Sequence, residues 1–182
     1  RLALQVFVAL GQSRDVDARC VHHGRTADQE RASLGVGGPD AATGHRFELA
    51  RLGNDYGSKG VAIVAINSND TEKYPADGPE QMREEAQAHG YSFPYLLDAD
   101  QSVAKAYRAA CTPDFYLFDA AKKLVYRGQL DGSRPGNDVP VDGRDLRTAL
   151  DALLKGTDIA AEQAPSIGCN IKWRPGNEPD YF

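Results

Sequence analysis

The residues of this sequence with the clearest chemical potential are its three cysteines, Cys20, Cys111 and Cys169. A cysteine thiolate attacks peroxides and disulfides, and a second thiol can resolve the product. An odd number of cysteines at wide spacing is unlike the disulfide framework of a small secreted domain. The pattern therefore favours free thiols in a reducing compartment, for which we expect the cytoplasm.

Two other segments contain residues that bind metals or phosphates in other proteins. Cys20, His22 and His23 could act as metal ligands, but adjacent histidines point apart and a structural zinc site needs four ligands. The glycine-rich stretch 35–44 lacks the GxGxxG spacing and the GK[ST] ending of phosphate-binding loops. We therefore expect no metal and no nucleotide cofactor.

The overall composition is that of one globular domain. Of the 182 residues, 41% are hydrophobic and 26% are charged, which is close to the usual balance. The formal net charge is -5, and the lysines and arginines are scattered, which argues against binding to nucleic acid. No apolar run approaches the ~20 residues of a membrane helix. We expect neither nucleic acid nor a membrane as a partner.

The first 44 residues differ in pattern from the rest. The apolar run Leu2–Leu10 follows one positive charge, but Gln5 interrupts it and no small-x-small cleavage site follows, so a strand is favoured over a targeting segment. From Gly11 to Gly44 neither a helical nor a strand period is present, which predicts loop.

A regular succession of elements follows residue 44, with turn and capping residues between them. The predicted elements are a helix at His45–Gly57, a strand at Gly60–Asn67, a helix at Met82–His89 capped near Asp77, a strand at Tyr91–Leu97, a helix at Gln101–Ala109 capped by Asp98 or Asp100, strands at Asp114–Asp119 and Leu124–Leu130, and a helix at Arg144–Leu154. This order predicts an α/β fold with β–α–β units that feed a parallel sheet and a final antiparallel hairpin. We divide the chain into an irregular segment 1–44, a domain 45–164 and an irregular tail 165–182.

Several segments between about His45 and Trp173 resemble the peroxiredoxin-like branch of the redoxin family (alkyl hydroperoxide reductase and thiol-specific antioxidant) in the thioredoxin superfamily. The matching segments are ELARL at 48–52, GVAIVAINSND at 60–70, YP at 74–75, FPYLLD at 93–98, VAKAY at 103–107, ACTPDFYLFD at 110–119, KLVYRGQLD at 123–131 and PSIGCNIKW at 165–173. The resemblance implies a thioredoxin-like fold, with a central mixed sheet, helices on both faces and a C-terminal hairpin plus helix. It does not extend to residues 1–44.

The resemblance also implies a role for Thr112 and Pro113. A proline at this place in thioredoxin-like proteins follows a cis peptide bond and lies beside the active-site thiol, so these two residues are expected to contact substrate. Proline has no N–H, and the backbone before it can therefore face a bound substrate. The alternative is an ordinary trans proline at the start of a strand.

The family's reactive cysteine is absent from its usual place. It would stand in a CxxC turn just before the helix that contains ELARL, where the helix N-terminus stabilises a thiolate. The corresponding stretch 35–44 has no cysteine. A divergent non-catalytic member, a replaced N-terminal segment and a frame shift upstream of about His45 all explain this, and the abrupt loss of resemblance favours the last two.

Cys111 and Cys169 remain as candidate catalytic residues. Cys111 belongs to the CTPDF motif and can serve as a peroxidatic or resolving thiol, or it is a small buried hydrophobic residue. Cys169 can reach the active-site face from the tail, or it lies in a tail packed through Ile171 and Trp173. The expected function is a thiol-dependent oxidoreductase acting on a small peroxide or a protein disulfide, with a thiol electron donor. The alternative is a catalytically inactive thioredoxin-like binding module, and homodimerisation through a sheet edge is left open.

Overall fold

The computed structural model of the chain describes residues 5–10 and 41–181. Five strands and four helices are assigned within these residues. They are β1 (Gln5–Leu10), α1 (Ala41–Gly57), β2 (Val61–Asn67), α2 (Pro79–His89), β3 (Tyr95–Leu97), α3 (Ser102–Ala106), β4 (Asp114–Phe118), β5 (Leu124–Gly128) and α4 (Arg144–Lys155). A short 3-10 turn, Pro75–Asp77, precedes α2.

The five strands form one mixed sheet in the order β3-β2-β1-β4-β5. β2 is parallel to β3, β1 is parallel to β4, and β4 and β5 form the predicted antiparallel hairpin. β1 confirms the strand predicted at Leu2–Leu10 but runs antiparallel to β2, with Gln5 opposite Ile66. Strand direction depends on pairing between distant segments, so the expectation that these units feed a parallel sheet is wrong for this pair, whereas the expected mixed sheet is confirmed.

The sheet separates two groups of buried side chains, because alternate residues of a strand point to opposite faces. The larger cluster contains Ile63, Ala65, Phe115 and Leu117, and the smaller cluster contains Val64, Ile66, Tyr116 and Phe118. Leu49 and Leu52 of α1 and Leu146 and Leu150 of α4 join the larger cluster, whereas Val103 of α3 packs on the smaller one. The α/β sandwich with helices on both faces is therefore confirmed.

The start of α1 differs from the sequence prediction. The helix begins at Ala41 rather than His45, so the loop predicted for 41–44 is wrong. Gly44 lies inside the helix, and its lack of a side chain lets the helix pack closely on Val141. A Cβ at Gly44 would lie 2.8 Å from Val141 Cγ2. The rest of the predicted loop, residues 11–40, lies outside the described residues.

The helix ends follow the capping signals in part. Asp98 caps α3, since its carboxylate accepts from the N–H groups of Val103 and Ala104 at 3.2 and 3.0 Å. α2 has Gly78 as its N-cap without a side-chain hydrogen bond, and Asp77 instead accepts from the Asn69 amide at 2.9 Å. The cap predicted near Asp77 is thus replaced by a contact with the loop after β2.

Candidate active site

The candidate site surrounds the loop before β4, where Cys111, Thr112 and Pro113 follow one another. The Thr112–Pro113 peptide bond is cis, which confirms the prediction. Thr112 is buried, and its side-chain hydroxyl donates to the carbonyl of Cys169 at 3.2 Å. The loop and the C-terminal tail therefore meet at this point.

Cys111 is a buried thiol. It is 7% exposed, and its Sγ donates to the carbonyl of Pro113 at 3.5 Å. Burial raises the pKa of Cys111 to about 11, the Asp114 carboxylate adds to this rise, and Arg127 opposes it. The thiol is consequently protonated near neutral pH, which makes it a weak attacking group.

Cys169 is exposed, and its main chain holds the tail on the loop. The N–H of Thr112 donates to the carbonyl of Cys169 at 2.8 Å, and the N–H of Cys169 donates to the carbonyl of Thr112 at 3.1 Å. These two bonds form an antiparallel bridge. The structure thus brings the two predicted catalytic cysteines close together, because Cys111 directly precedes the residue that pairs with Cys169.

The two thiols belong to residues that are not paired with each other. Both are free, and the residue paired with Cys169 is Thr112 rather than Cys111. Cys111 therefore immediately precedes the residue that pairs with Cys169, and the two thiols are close enough for Cys169 to raise the pKa of Cys111.

An ion pair between the buried Asp114 and the partly exposed Arg127, which sequence reasoning missed, positions the loop before β4. Asp114 is 2% exposed, and its Oδ2 accepts from the Tyr116 hydroxyl at 2.7 Å and lies 3.2 Å from Arg127 Nη2. The same oxygen accepts from the N–H of Ala110 at 3.3 Å, just before Cys111. The sequence signal that could have indicated this pair is Asp114 itself. It is a carboxylate at the first position of an otherwise apolar strand, where burial requires a partner for the charge.

A small depression lies on the other side of Pro113. His45 of α1, Pro113, Gln129, Arg134 and Ser166 line it, and its volume of about 10 Å³ is close to that required by one water molecule. Burial lowers the pKa of His45, and Arg134 adds to this effect while Asp131 opposes it. His45 is therefore a neutral imidazole near pH 7. Sequence reasoning used His45 only as the start of a helix.

Asp131, at the edge of this depression, is a structural residue. Although it lies in the loop after β5, Asp131 is 1% exposed. Its carboxylate accepts from the N–H groups of Ser133, Asp142 and Gly143 at 3.0, 3.0 and 2.8 Å. It thereby organises the loop that leads into α4.

The sequence motifs NSND and GCNIKW contact each other. The N–H of Lys172 donates to Asn69 Oδ1 at 2.8 Å, and the N–H of Asp70 donates to the carbonyl of Lys172 at 2.8 Å. Gln101, which is 0% exposed, donates to the carbonyls of Ser68 and Lys172 at 2.7 and 2.9 Å. These motifs thus join the tail to the loop after β2, a role that their sequences alone did not reveal.

Within residues 5–10 and 41–181, no three histidine, cysteine, aspartate or glutamate side chains are grouped to hold a metal ion. The possible ligands Cys20, His22 and His23 lie outside this range. None of the helices in the same range is long and apolar enough to cross a membrane.

The different environments of the two thiols predict different alkylation behaviour. At pH 7.5, iodoacetamide should label Cys169 at least about tenfold faster than Cys111, because only a thiolate reacts readily and Cys111 is both buried and protonated. Labelling of Cys111 should accelerate as the pH rises toward its pKa of about 11. Peptide mapping by mass spectrometry measures each site separately. Equal rates at pH 7.5 would show that Cys111 is not in the environment described.

Together, the mixed sheet, the terminal hairpin, the helices on both faces and the cis-proline before β4 define a thioredoxin-like fold. Residues 35–146 match the redoxin family model, and the chain belongs to the redoxin family. The family resemblance inferred from the motifs is confirmed. The matched region begins ten residues before His45 and includes the cysteine-free stretch 35–44.

Two solved structures are similar to the whole chain. A hypothetical protein from Sinorhizobium meliloti 1021 is 44% identical with a TM-score of 0.73, and the alignment covers 94% of this chain and 80% of that one. An uncharacterized conserved protein from Geobacillus kaustophilus is 49% identical with a TM-score of 0.73, and the alignment covers 95% of this chain and 78% of that one. No curated protein matches the chain.

Proposed function

We propose that this redoxin is a thiol-dependent oxidoreductase in which Cys169 attacks the substrate and Cys111 resolves the product. The observation that carries the proposal is the bridge between Thr112 and Cys169. It holds the exposed thiol of Cys169 opposite the residue that directly follows the buried Cys111. The exposed thiol is accessible to an oxidant. The buried thiol is protected from direct attack, and it precedes the residue to which the tail is bonded.

The chemistry has three balanced steps. The Cys169 thiolate attacks the terminal oxygen of a peroxide, the O–O bond breaks, and with one proton the products are a Cys169 sulfenic acid and an alcohol or water. The Cys111 thiol then attacks the sulfenic sulfur, which forms a disulfide and releases water. An external dithiol reduces this disulfide and becomes a disulfide itself.

The difference in burial supports different tasks for the two thiols. With its pKa raised to about 11, Cys111 is poorly suited to attack a peroxide near neutral pH. Its position beside the tail suits a second step that is delayed until the tail moves. Removal of peroxide in this way would give the protein an antioxidant function, and the free thiols favour a cytoplasmic location.

Oxidation of a Cys111→Ser variant tests this assignment. In the wild type, one equivalent of hydrogen peroxide should produce a Cys111–Cys169 disulfide, identified by mass spectrometry of non-reduced peptides. In the variant, the disulfide should be absent and Cys169 should form an adduct with dimedone, which traps sulfenic acids. The fold should persist, because serine can also donate to the Pro113 carbonyl.

Cys20→Ser is the matched control and should still form the Cys111–Cys169 disulfide. If the wild type forms no such disulfide and Cys169 forms no adduct in the variant, the proposed chemistry is wrong.

A second candidate function is a non-catalytic binding module of the same fold. It is favoured by the cysteine-free stretch 35–44 and by the raised pKa of Cys111. A pH-dependent alkylation series distinguishes the two candidates, because an active thiol should react below the free cysteine pKa of ~8.5. Slow labelling of Cys169 as well as Cys111, with no thiol that reacts below this pKa, would support the binding module.

A further inference from the structure

The C-terminal tail crosses the ends of β5 and β4 and then reaches the loop after β2. Near β5, the N–H of Gln129 donates to the carbonyl of Ala164 at 2.9 Å, and the Ser166 hydroxyl donates to the carbonyl of Gly128 at 2.6 Å. The bridge to Thr112 follows, and the contacts of Lys172 with Asn69 and Asp70 come last. The segment 166–170 is therefore anchored on both sides.

This segment uses both main-chain hydrogen-bonding groups of Thr112. The N–H donates to Cys169, and the carbonyl accepts from Cys169. A peptide that binds by adding a strand needs such a free N–H and carbonyl. The tail therefore occupies the place that an extended peptide would take at this loop.

Gly168 permits the close contact between the tail and the loop. A Cβ at this residue would lie 2.2 Å from the carbonyl oxygen of Thr112 and 2.7 Å from its carbonyl carbon. Both are backbone atoms, which cannot rotate away as the end of a side chain can. Any larger residue at position 168 must displace the tail from Thr112.

We infer that residues 166–170 determine the substrate class by excluding extended peptides. They do so by occupying the main-chain N–H and carbonyl of Thr112, which together are called the Thr112 edge below. The substrate that reaches the thiol site is then a small peroxide rather than a protein disulfide. This inference rests on the proposed function for its chemistry. The closure of the edge can be tested without any turnover.

A peptide of residues 164–172 carrying Cys169→Ser is a suitable probe, because its backbone already fits Thr112 and it cannot form a disulfide. Its binding to the full-length protein can be followed by fluorescence anisotropy. Gly168→Ala should bind the peptide at least about tenfold more tightly than the wild type, because its own tail no longer competes. Gly57→Ala is the matched control, since a Cβ at Gly57 meets nothing within 4 Å, and it should bind like the wild type.

Amide hydrogen exchange gives a second measurement of the same contact. The Thr112 amide should be protected in the wild type and exchange faster in Gly168→Ala. Equal peptide affinities of the wild type and Gly168→Ala would overturn the inference. If Gly168→Ala does not fold, the wild type decides: a protected Thr112 amide without peptide binding supports closure, whereas a freely exchanging amide or tight peptide binding contradicts it.

The activity measurements use the wild type with dithiothreitol as the reductant. Consumption of hydrogen peroxide without reduction of insulin disulfides supports the inferred substrate class. Reduction of insulin at a comparable rate would overturn the inference and leave the thiol chemistry intact. If neither substrate reacts, the proposed function and the substrate class both fail, and the peptide measurement reports only whether the edge is closed.

Discussion

Replacing Cys169 with serine is expected to lower peroxide consumption to below about 1% of the wild-type rate, because a serine hydroxyl is far less acidic than a thiol and does not supply the attacking anion. Cys169 is the exposed thiol of the pair, whereas Cys111 is buried and protonated. The assay is the loss of hydrogen peroxide at pH 7.5 with dithiothreitol in excess and the protein in catalytic amount. The uncatalysed rate with dithiothreitol alone is subtracted.

The fold should be unaffected by this replacement, because the tail is held at Thr112 mainly through the Cys169 main chain. Circular dichroism and the Thr112 amide exchange rate check this point. Cys20→Ser should retain the wild-type rate and is the control for loss of a cysteine. A Cys169→Ser protein that consumes peroxide at the wild-type rate would place the attacking group elsewhere and would reject the mechanism proposed above.

Replacing Asp131 with alanine should destabilise the protein by about 4 kcal/mol, because it leaves three N–H groups without their acceptor. The carboxylate is 1% exposed and is bonded to the main chain at Ser133, Asp142 and Gly143. The last two donors immediately precede α4, whose Leu146 and Leu150 pack in the larger cluster. The loss should therefore appear in global unfolding.

Urea unfolding followed by circular dichroism gives the difference in the free energy of unfolding when both proteins have the same dependence of this free energy on urea concentration. Asp131→Asn keeps one acceptor oxygen and should lose roughly half as much stability. Asp158→Ala, at an exposed position, should change stability by less than about 0.5 kcal/mol. If Asp131→Ala and Asp158→Ala unfold at the same urea concentration, the three main-chain bonds do not contribute as described.

The Cys169→Ser and Cys111→Ser variants separate attack from resolution. The peptide measurement separates both of these from the closure of the Thr112 edge. Each step of the proposal can thus fail independently.

The sequence alone determined the elements that depend on local pattern. The β-branched run before Asn67 predicted β2, and the helix predicted at Arg144–Leu154 is α4, which ends before Gly156 with a φ of +67° at that glycine. The CTPDF motif predicted the cis bond before Pro113 through the family resemblance. These features could be predicted because the deciding residues are neighbours along the chain.

Only the tertiary structure showed which distant groups meet. The antiparallel pairing of β1 with β2 and the bridge between Thr112 and Cys169 each join residues far apart in sequence, and the ion pair between Asp114 and Arg127 joins the two strands of the hairpin. The reactivity of the cysteines also depends on this level of structure, because burial changes the pKa of Cys111 and the tail fixes the position of Cys169. The residue types established that thiol chemistry is possible, and the packing around each sulfur determines which thiol can begin it, since desolvation and access are properties of the folded chain.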